Sequence, residues 1–170
     1  MLILIVGYAC TGKSTLRSFF EKRGILAIEA SSFIAPLREK CKEIGVGNIY
    51  DIYPKSVGAE LIEHCYGAQL NHAVVVGLRT IEEYFYFKER YPVKLMRLQS
   101  SLSTCYMRSN TRLGRERYDS PESFYENRIA TDNALGLSDL LAYAEEALLN
   151  ESWSQEEFLR HSLKKVRPFL

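Results

Sequence analysis

Residues 7–15 read GYACTGKST and follow directly on the apolar run LILIV. Gly7, Gly12, Lys13 and Ser14 fill the pattern GxxxxGK[ST] in full. The glycines let the backbone amides of Gly7, Tyr8, Ala9, Cys10, Thr11, Gly12, Lys13, Ser14 and Thr15 turn inward on phosphate oxygens, and the helix that follows adds its positive N-terminal dipole. In that chemistry Lys13 reaches the β- and γ-phosphates of a nucleoside triphosphate, and the Ser14 hydroxyl ligates Mg²⁺. Mg²⁺ and ATP are therefore the expected cofactor and phosphoryl donor. A chance Gly/Lys/Ser turn would satisfy the same few positions. The flanks argue against it, because a buried strand precedes the loop and a helix follows. Cys10 contributes its backbone amide to the loop; a reactive-thiol role is the alternative.

Passing a phosphoryl group to an acceptor requires clamping two anionic substrates, a task for arginines from outside the loop. Arg108, Arg112, Arg115 and Arg117 fall within ten residues. The first three are spaced by four and three, so on a helix they share one face. Such a face can close as a lid over phosphates and exclude water. The competing readings are a solvated helix face and a basic patch for nucleic acid. Ras-like switches carry an Asn-Lys-x-Asp tetrapeptide, which does not occur here. Asp119 and Asp132, near the lid, read as structural carboxylates, and His64, His72 and His161 show no ligand spacing.

The elements that must position these residues can be read from periodicity and caps. LILIV is a strand buried on both faces, as in a parallel sheet. A helix over 13–23, a strand over 25–29 and a helix from Ser31 or Ser32 to about Ile44 follow, with Pro36 near the first turn. Residues 46–54 read as a loop, 56–70 as a helix and 73–77 as a strand. Thr80 and Glu83 have capping-box spacing and start a helix to about Tyr91, and VKLMRL is the next strand. Ser120 and Pro121 open a helix to about Leu135. EALLN, residues 146–150, is a last strand, and Ser154 with Glu157 caps a closing helix to about Val166. Strands alternating with helices, without a hairpin signal, predict an α/β fold with a parallel sheet covered on both faces.

With 170 residues, 46% hydrophobic and 25% charged, the chain fits one globular domain. No apolar run approaches the 18 or more residues of a membrane span. Met1 leads straight into the first strand without a basic leader, so a cytoplasmic location is expected. Cys10, Cys41, Cys65 and Cys105 are widely spaced, which disfavours zinc. A net charge of +1 provides no global field for nucleic acid.

Several stretches resemble the nucleoside-monophosphate-kinase group, and within it the dephospho-coenzyme-A-kinase-like proteins, which include a small uncharacterised microbial family. VVVGLRTIEEYFYF is similar to that group's DGxR strand end and following helix. RLGRERYDSPESFYENR is similar to its RxRxD lid followed by a Phe and an Arg. YAEEALLNES is similar to the closing segment that passes close to adenine. The resemblance runs end to end. It implies a three-layer α/β/α P-loop domain over 1–170, five parallel strands in the order 2-3-1-4-5, an acceptor-side helical region at about 32–72 and an arginine-rich helical lid at about 101–135. It also implies that Arg79, with Arg38 as a further candidate, binds the acceptor phosphate, that Arg112, Arg115 and Arg117 are lid residues, and that Asn150 and Ser152 lie on the adenine side.

Two departures stand out. The aspartate before GxR is Val76, and the aspartate after the second strand is replaced by EASS, leaving Glu29 as the nearest carboxylate for a base or acceptor ligand. The expected activity is ATP- and Mg²⁺-dependent transfer to a small nucleotide-like acceptor, catalysed by Lys13, Arg112, Arg115 and Glu29. The alternatives are a nucleotide-binding or slowly hydrolysing regulatory ATPase, and a nucleic-acid-directed kinase.

Overall fold

The structure, a computed structural model, describes residues 1–111, 117–151 and 154–170. In chain order its regular elements are β1 (Leu2–Val6), α1 (Lys13–Glu21), β2 (Leu26–Glu29), α2 (Ala30–Glu43), α3 (Val57–Tyr66), β3 (Ala73–Val76), α4 (Ile81–Lys88), β4 (Val93–Gln99) and α5 (Leu102–Asn110). They are followed by α6 (Pro121–Phe124), a π-helical turn (Tyr125–Ile129), α7 (Ala130–Ala134), α8 (Leu137–Ala142), β5 (Glu146–Leu149) and α9 (Gln155–Val166). The five strands form one sheet in the order β2-β3-β1-β4-β5, with every pairing parallel. This is the expected order.

Successive strand residues point to opposite faces, and β1 shows both halves of the core. Leu2, Leu4 and Val6 pack with Val75, Ile62 of α3, Phe87 of α4 and Leu140 of α8. Ile3 and Ile5 pack with Val74, Val76, Leu16 and Phe20 of α1, and Phe158 and Val166 of α9. All five β1 residues are fully buried, which is why the strand reads as a continuous apolar run. The consequence for function is positional: the C-terminal ends of β1, β2 and β3 come together at one edge, where ligands of open α/β sheets bind.

Several boundaries differ from expectation. α2 begins at Ala30 with Glu29 as its N-cap and no side-chain cap, while Ser32 Oγ donates to the Glu29 carbonyl at 2.7 Å. Pro36 therefore lies in the second turn rather than the first, and the helix forgoes one i to i−4 hydrogen bond there. The 46–54 loop contains a 3₁₀ turn, Ile49–Asp51, capped by Asn48, whose side-chain oxygen accepts from Tyr50 N at 3.1 Å. The helix expected over 56–70 ends at Tyr66 and tightens into a 3₁₀ stretch, Gly67–His72. The helix expected from Pro121 to Leu135 is divided into α6, the π-helical turn and α7, and α8 follows where no helix was anticipated. α5 is closed by Thr111. The lid face expected from Arg108, Arg112 and Arg115 is not displayed, since Arg112 and Arg115 lie outside the described residues, as does Ser152.

Candidate functional site

The loop between β1 and α1 holds its shape by backbone conformations that few residues adopt. Gly12 has φ +107° and Cys10 has φ +66°. A Cβ on Gly12 would stand 2.5 Å from Asn150 Nδ2, and one on Gly7 would stand 2.4 Å from the Leu98 carbonyl oxygen of β4. Both glycines thus allow the loop to lie directly against the sheet. Thr11 is buried, its hydroxyl donating to the Tyr8 carbonyl at 2.9 Å.

Asn150, placed on the adenine side by resemblance, supports the loop from beneath. Its Nδ2 donates to the Thr11 carbonyl at 2.7 Å, and its own carbonyl accepts from Ser100 Oγ at 2.7 Å and from Arg108 at 3.1 Å. Arg108 is therefore engaged at the β4 and β5 ends, not over the cleft. Arg117 is exposed.

Lys13 extends into the loop, donating to the Gly7 carbonyl and, at 2.6 Å, to the Tyr8 carbonyl. Part of the side chain is open to the cleft, but its ammonium is crowded by protein atoms. Burial lowers its pKa from 10.5 to about 8; the Asp132 carboxylate works against that fall and Arg79 adds to it.

Ser14 Oγ donates to Glu29 Oε1 at 3.2 Å, and the same oxygen accepts from Ser31 Oγ at 3.2 Å. The other Glu29 oxygen faces Arg17 at 3.5 Å. In the sheet, Glu29 is the register partner of Val76. The carboxylate missing from the end of β3 is thus present one strand over. A hydroxyl and a carboxylate this close, both oxygen ligands beside a phosphate loop, fit Mg²⁺. No cluster of three His, Cys, Asp or Glu side chains occurs among the described residues, so such an ion would take its other ligands from water and phosphate.

Opposite the loop lies a cleft of about 520 Å³. Gly7, Lys13, Ser14 and Glu29 line it together with Arg38, Arg79, Arg128 and Asp132. Arg79 follows β3 and is positioned through its backbone: its N–H donates to Glu83 Oε2 at 2.8 Å, and Thr80 N donates to the same oxygen at 3.2 Å. Thr80 Oγ1 in turn accepts from Glu83 N and donates to the Lys55 carbonyl. Burial raises the Glu83 pKa while these N–H donors oppose the rise. Arg38 comes from α2; burial lowers its pKa and the nearby Arg79 and Arg128 charges lower it further. Asp132 stands among these three arginines, 3.7 Å from Arg79, and a bound anion would offset the remaining positive charge.

The sequence reads Asp132 as a structural carboxylate and Arg128 only as the arginine that follows the lid segment, with a site role assigned to neither. With Phe124, they stand at intervals of four along the segment α6, π-helical turn and α7, and all three line the cleft. The turn, in which Ala130 N bonds to the Tyr125 carbonyl, accommodates one extra residue and keeps these positions on one side. The interval of four was visible, but its facing depends on a π turn that leaves no sequence signature. A second tie joins this segment to the loop, where Tyr8 Oη donates to Asn133 Oδ1 at 2.8 Å.

No family model matches the chain. It is 22% identical over 183 residues to a UPF0200 protein of Thermococcus onnurineus (strain NA1), covering 100% of this chain and 98% of that protein. Among solved structures it is similar to shikimate kinase from Bacteroides thetaiotaomicron, with TM-score 0.69 and 12% identity over 98% of each chain. It is also similar to a gluconokinase from Sinorhizobium meliloti 1021, with TM-score 0.65 and 19% identity over 98% of this chain and 91% of the other. The chain has the P-loop kinase fold.

Proposed function

We propose that this chain is a Mg²⁺- and ATP-dependent kinase that phosphorylates a small anionic, nucleotide-like acceptor. The observation that carries the reading is the cleft itself, lined both by the phosphate loop and by Arg38, Arg79 and Arg128. A hydrolase needs only water beside the loop. Three arginines there would hold the anionic part of a second substrate by charge-assisted hydrogen bonds.

In this reading Lys13 leaves the Gly7 and Tyr8 carbonyls for the β- and γ-phosphates, and it stabilises charge on the moving phosphoryl group. Ser14 and Glu29 would hold Mg²⁺, which when bound neutralises phosphate charge and orients the donor. Arg38, Arg79 and Arg128 seat the acceptor, and Arg112 and Arg115 are proposed to close from the lid. The nucleotide-like acceptor, with dephospho-coenzyme A among its candidates, rests on the sequence resemblance. The kinase neighbours support phosphoryl transfer to a small molecule.

The test is ADP release from Mg·ATP with and without a panel of nucleoside monophosphates, dephospho-coenzyme A, shikimate and gluconate, with Lys13→Ala as blank. At least one acceptor should stimulate release many-fold in the wild type and not in the variant. Release that is slow and indifferent to every acceptor would favour the regulatory ATPase, the reading to which Val76 lends support.

A further inference from the structure

Among the described residues, Asp132 and Glu29 are the acidic side chains lining the cleft. The Asp132 side chain is 5% exposed, and Oδ1 is buried with no hydrogen-bond partner. The nearest cation, Arg79 Nη1, is 3.7 Å away, an ion-pair distance too long for a hydrogen bond. Buried carboxylate oxygens without a donor are uncommon in native proteins, and each calls for an explanation.

Glu29, the carboxylate singled out from sequence, is differently placed: it is already committed to Ser14, Ser31 and Arg17. Asp132 lines the same cleft without a hydrogen bond to Oδ1. Its surroundings restrict what it can receive. A phosphate oxygen brought against Asp132 would meet like charge. An ammonium group would meet Arg38, Arg79 and Arg128. A neutral donor avoids both penalties, and an alcohol hydroxyl is the small one.

Building on the kinase reading above, we propose that Asp132 accepts a hydrogen bond from an acceptor hydroxyl and acts as its general base, so the substrate is an anionic alcohol rather than a bare phosphate acceptor. The three arginines hold the anionic group while Asp132 receives the hydroxyl. As the hydroxyl oxygen attacks the γ-phosphorus, a new O–P bond forms and the bond to the β,γ-bridging oxygen breaks. ADP departs with that electron pair. The hydroxyl proton passes to Asp132 and then to solvent. The product is a phosphate ester, not a phosphoanhydride.

The test uses the full chain with Mg·ATP and two sets of probes. One set carries a hydroxyl and an anion (dephospho-coenzyme A, gluconate, shikimate, adenosine 5′-monophosphate). The other offers a phosphate without a free hydroxyl (2′,3′-dideoxyadenosine 5′-monophosphate, methyl phosphate). Products are identified by ³¹P NMR, which separates esters from anhydrides. For the best alcohol we expect an ester, and Asp132→Asn should lower kcat a hundredfold or more, the usual scale of general-base loss. The acceptor KM should stay within about threefold, and thermal unfolding should show the variant folded. A purely structural partner of Arg79 would instead move KM and the unfolding midpoint with little effect on kcat.

An anhydride product, transfer to probes lacking a hydroxyl, or an ester whose kcat is indifferent to Asp132→Asn would overturn the proposal and leave the kinase reading standing. Absence of any phosphorylated product from every probe would count against both.

Discussion

Lys13 is the residue whose chemistry can be followed without knowing the acceptor. With a pKa of about 8 in the free protein, a growing share of its amine is neutral above that pH. A polyphosphate brought beside it supplies opposite charge and raises the pKa. Nucleotide binding at pH 8.5 should therefore take up protons, and at pH 6.5 Lys13, protonated in both states, should take up none. Calorimetry in buffers of different ionisation enthalpy reads this directly, and Lys13→Ala should abolish the pH 8.5 uptake. Arg38 and Arg79 are proposed to act on the other substrate. Losing one charge-assisted bond costs about 1.5–3 kcal/mol, so Arg79→Ala and Arg38→Ala should each raise the acceptor KM tenfold or more while leaving that of ATP unchanged in steady-state kinetics. The phosphate loop was legible because it is one contiguous pattern with fixed chemistry. Arg128 and Asp132 were not, because their relevance comes from tertiary placement across a cleft.

At the level of elements, side-chain chemistry wrote some boundaries into the sequence and packing decided others. Both capping boxes, Thr80 with Glu83 and Ser154 with Glu157, are formed as their spacing predicts. The start of α2 and the π turn carry no side-chain cap to read, while α8 follows Gly136, whose φ of +94° ends the preceding helix, a glycine signal that was available in the sequence. The α4 cap also reaches the site, because Glu83 fixes the backbone of Arg79. Its surroundings leave no spare room: a Cβ on Gly58 of α3 would fall 2.2 Å from Glu83 Oε1 and 3.1 Å from Ile34 Cδ1. Gly58→Ala should thus destabilise the protein by about 1–3 kcal/mol, the scale of overpacking. It should also raise the acceptor KM through displacement of Arg79. Glu83→Ala should cost about 1–3 kcal/mol by stranding buried N–H groups, whereas Glu83→Gln, a permitted capping-box residue, should keep most of that stability. Denaturant titration separates Glu83→Gln from the other two.

For the whole molecule, alternating strands and helices with a fully apolar first strand predicted the parallel sheet, and the resemblance supplied its order. Both agree with the structure because buried parallel strands leave a pattern that local detail does not obscure. The sheet brings Gly7, Glu29 and Arg79 to one end, and α2 and the segment around α7 contribute Arg38, Arg128 and Asp132 to the same cleft. No helix among the described residues is long and apolar enough to cross a membrane. The central claim is that this single cleft moves a phosphoryl group from ATP to an anionic acceptor. Its most direct test is to follow label from [γ-³³P]ATP in the presence of Mg²⁺ and the acceptor panel. Label is expected in an organic phosphate product with the wild type and not with Lys13→Ala. Label recovered only as inorganic phosphate, or left in ATP that is demonstrably bound, would contradict it.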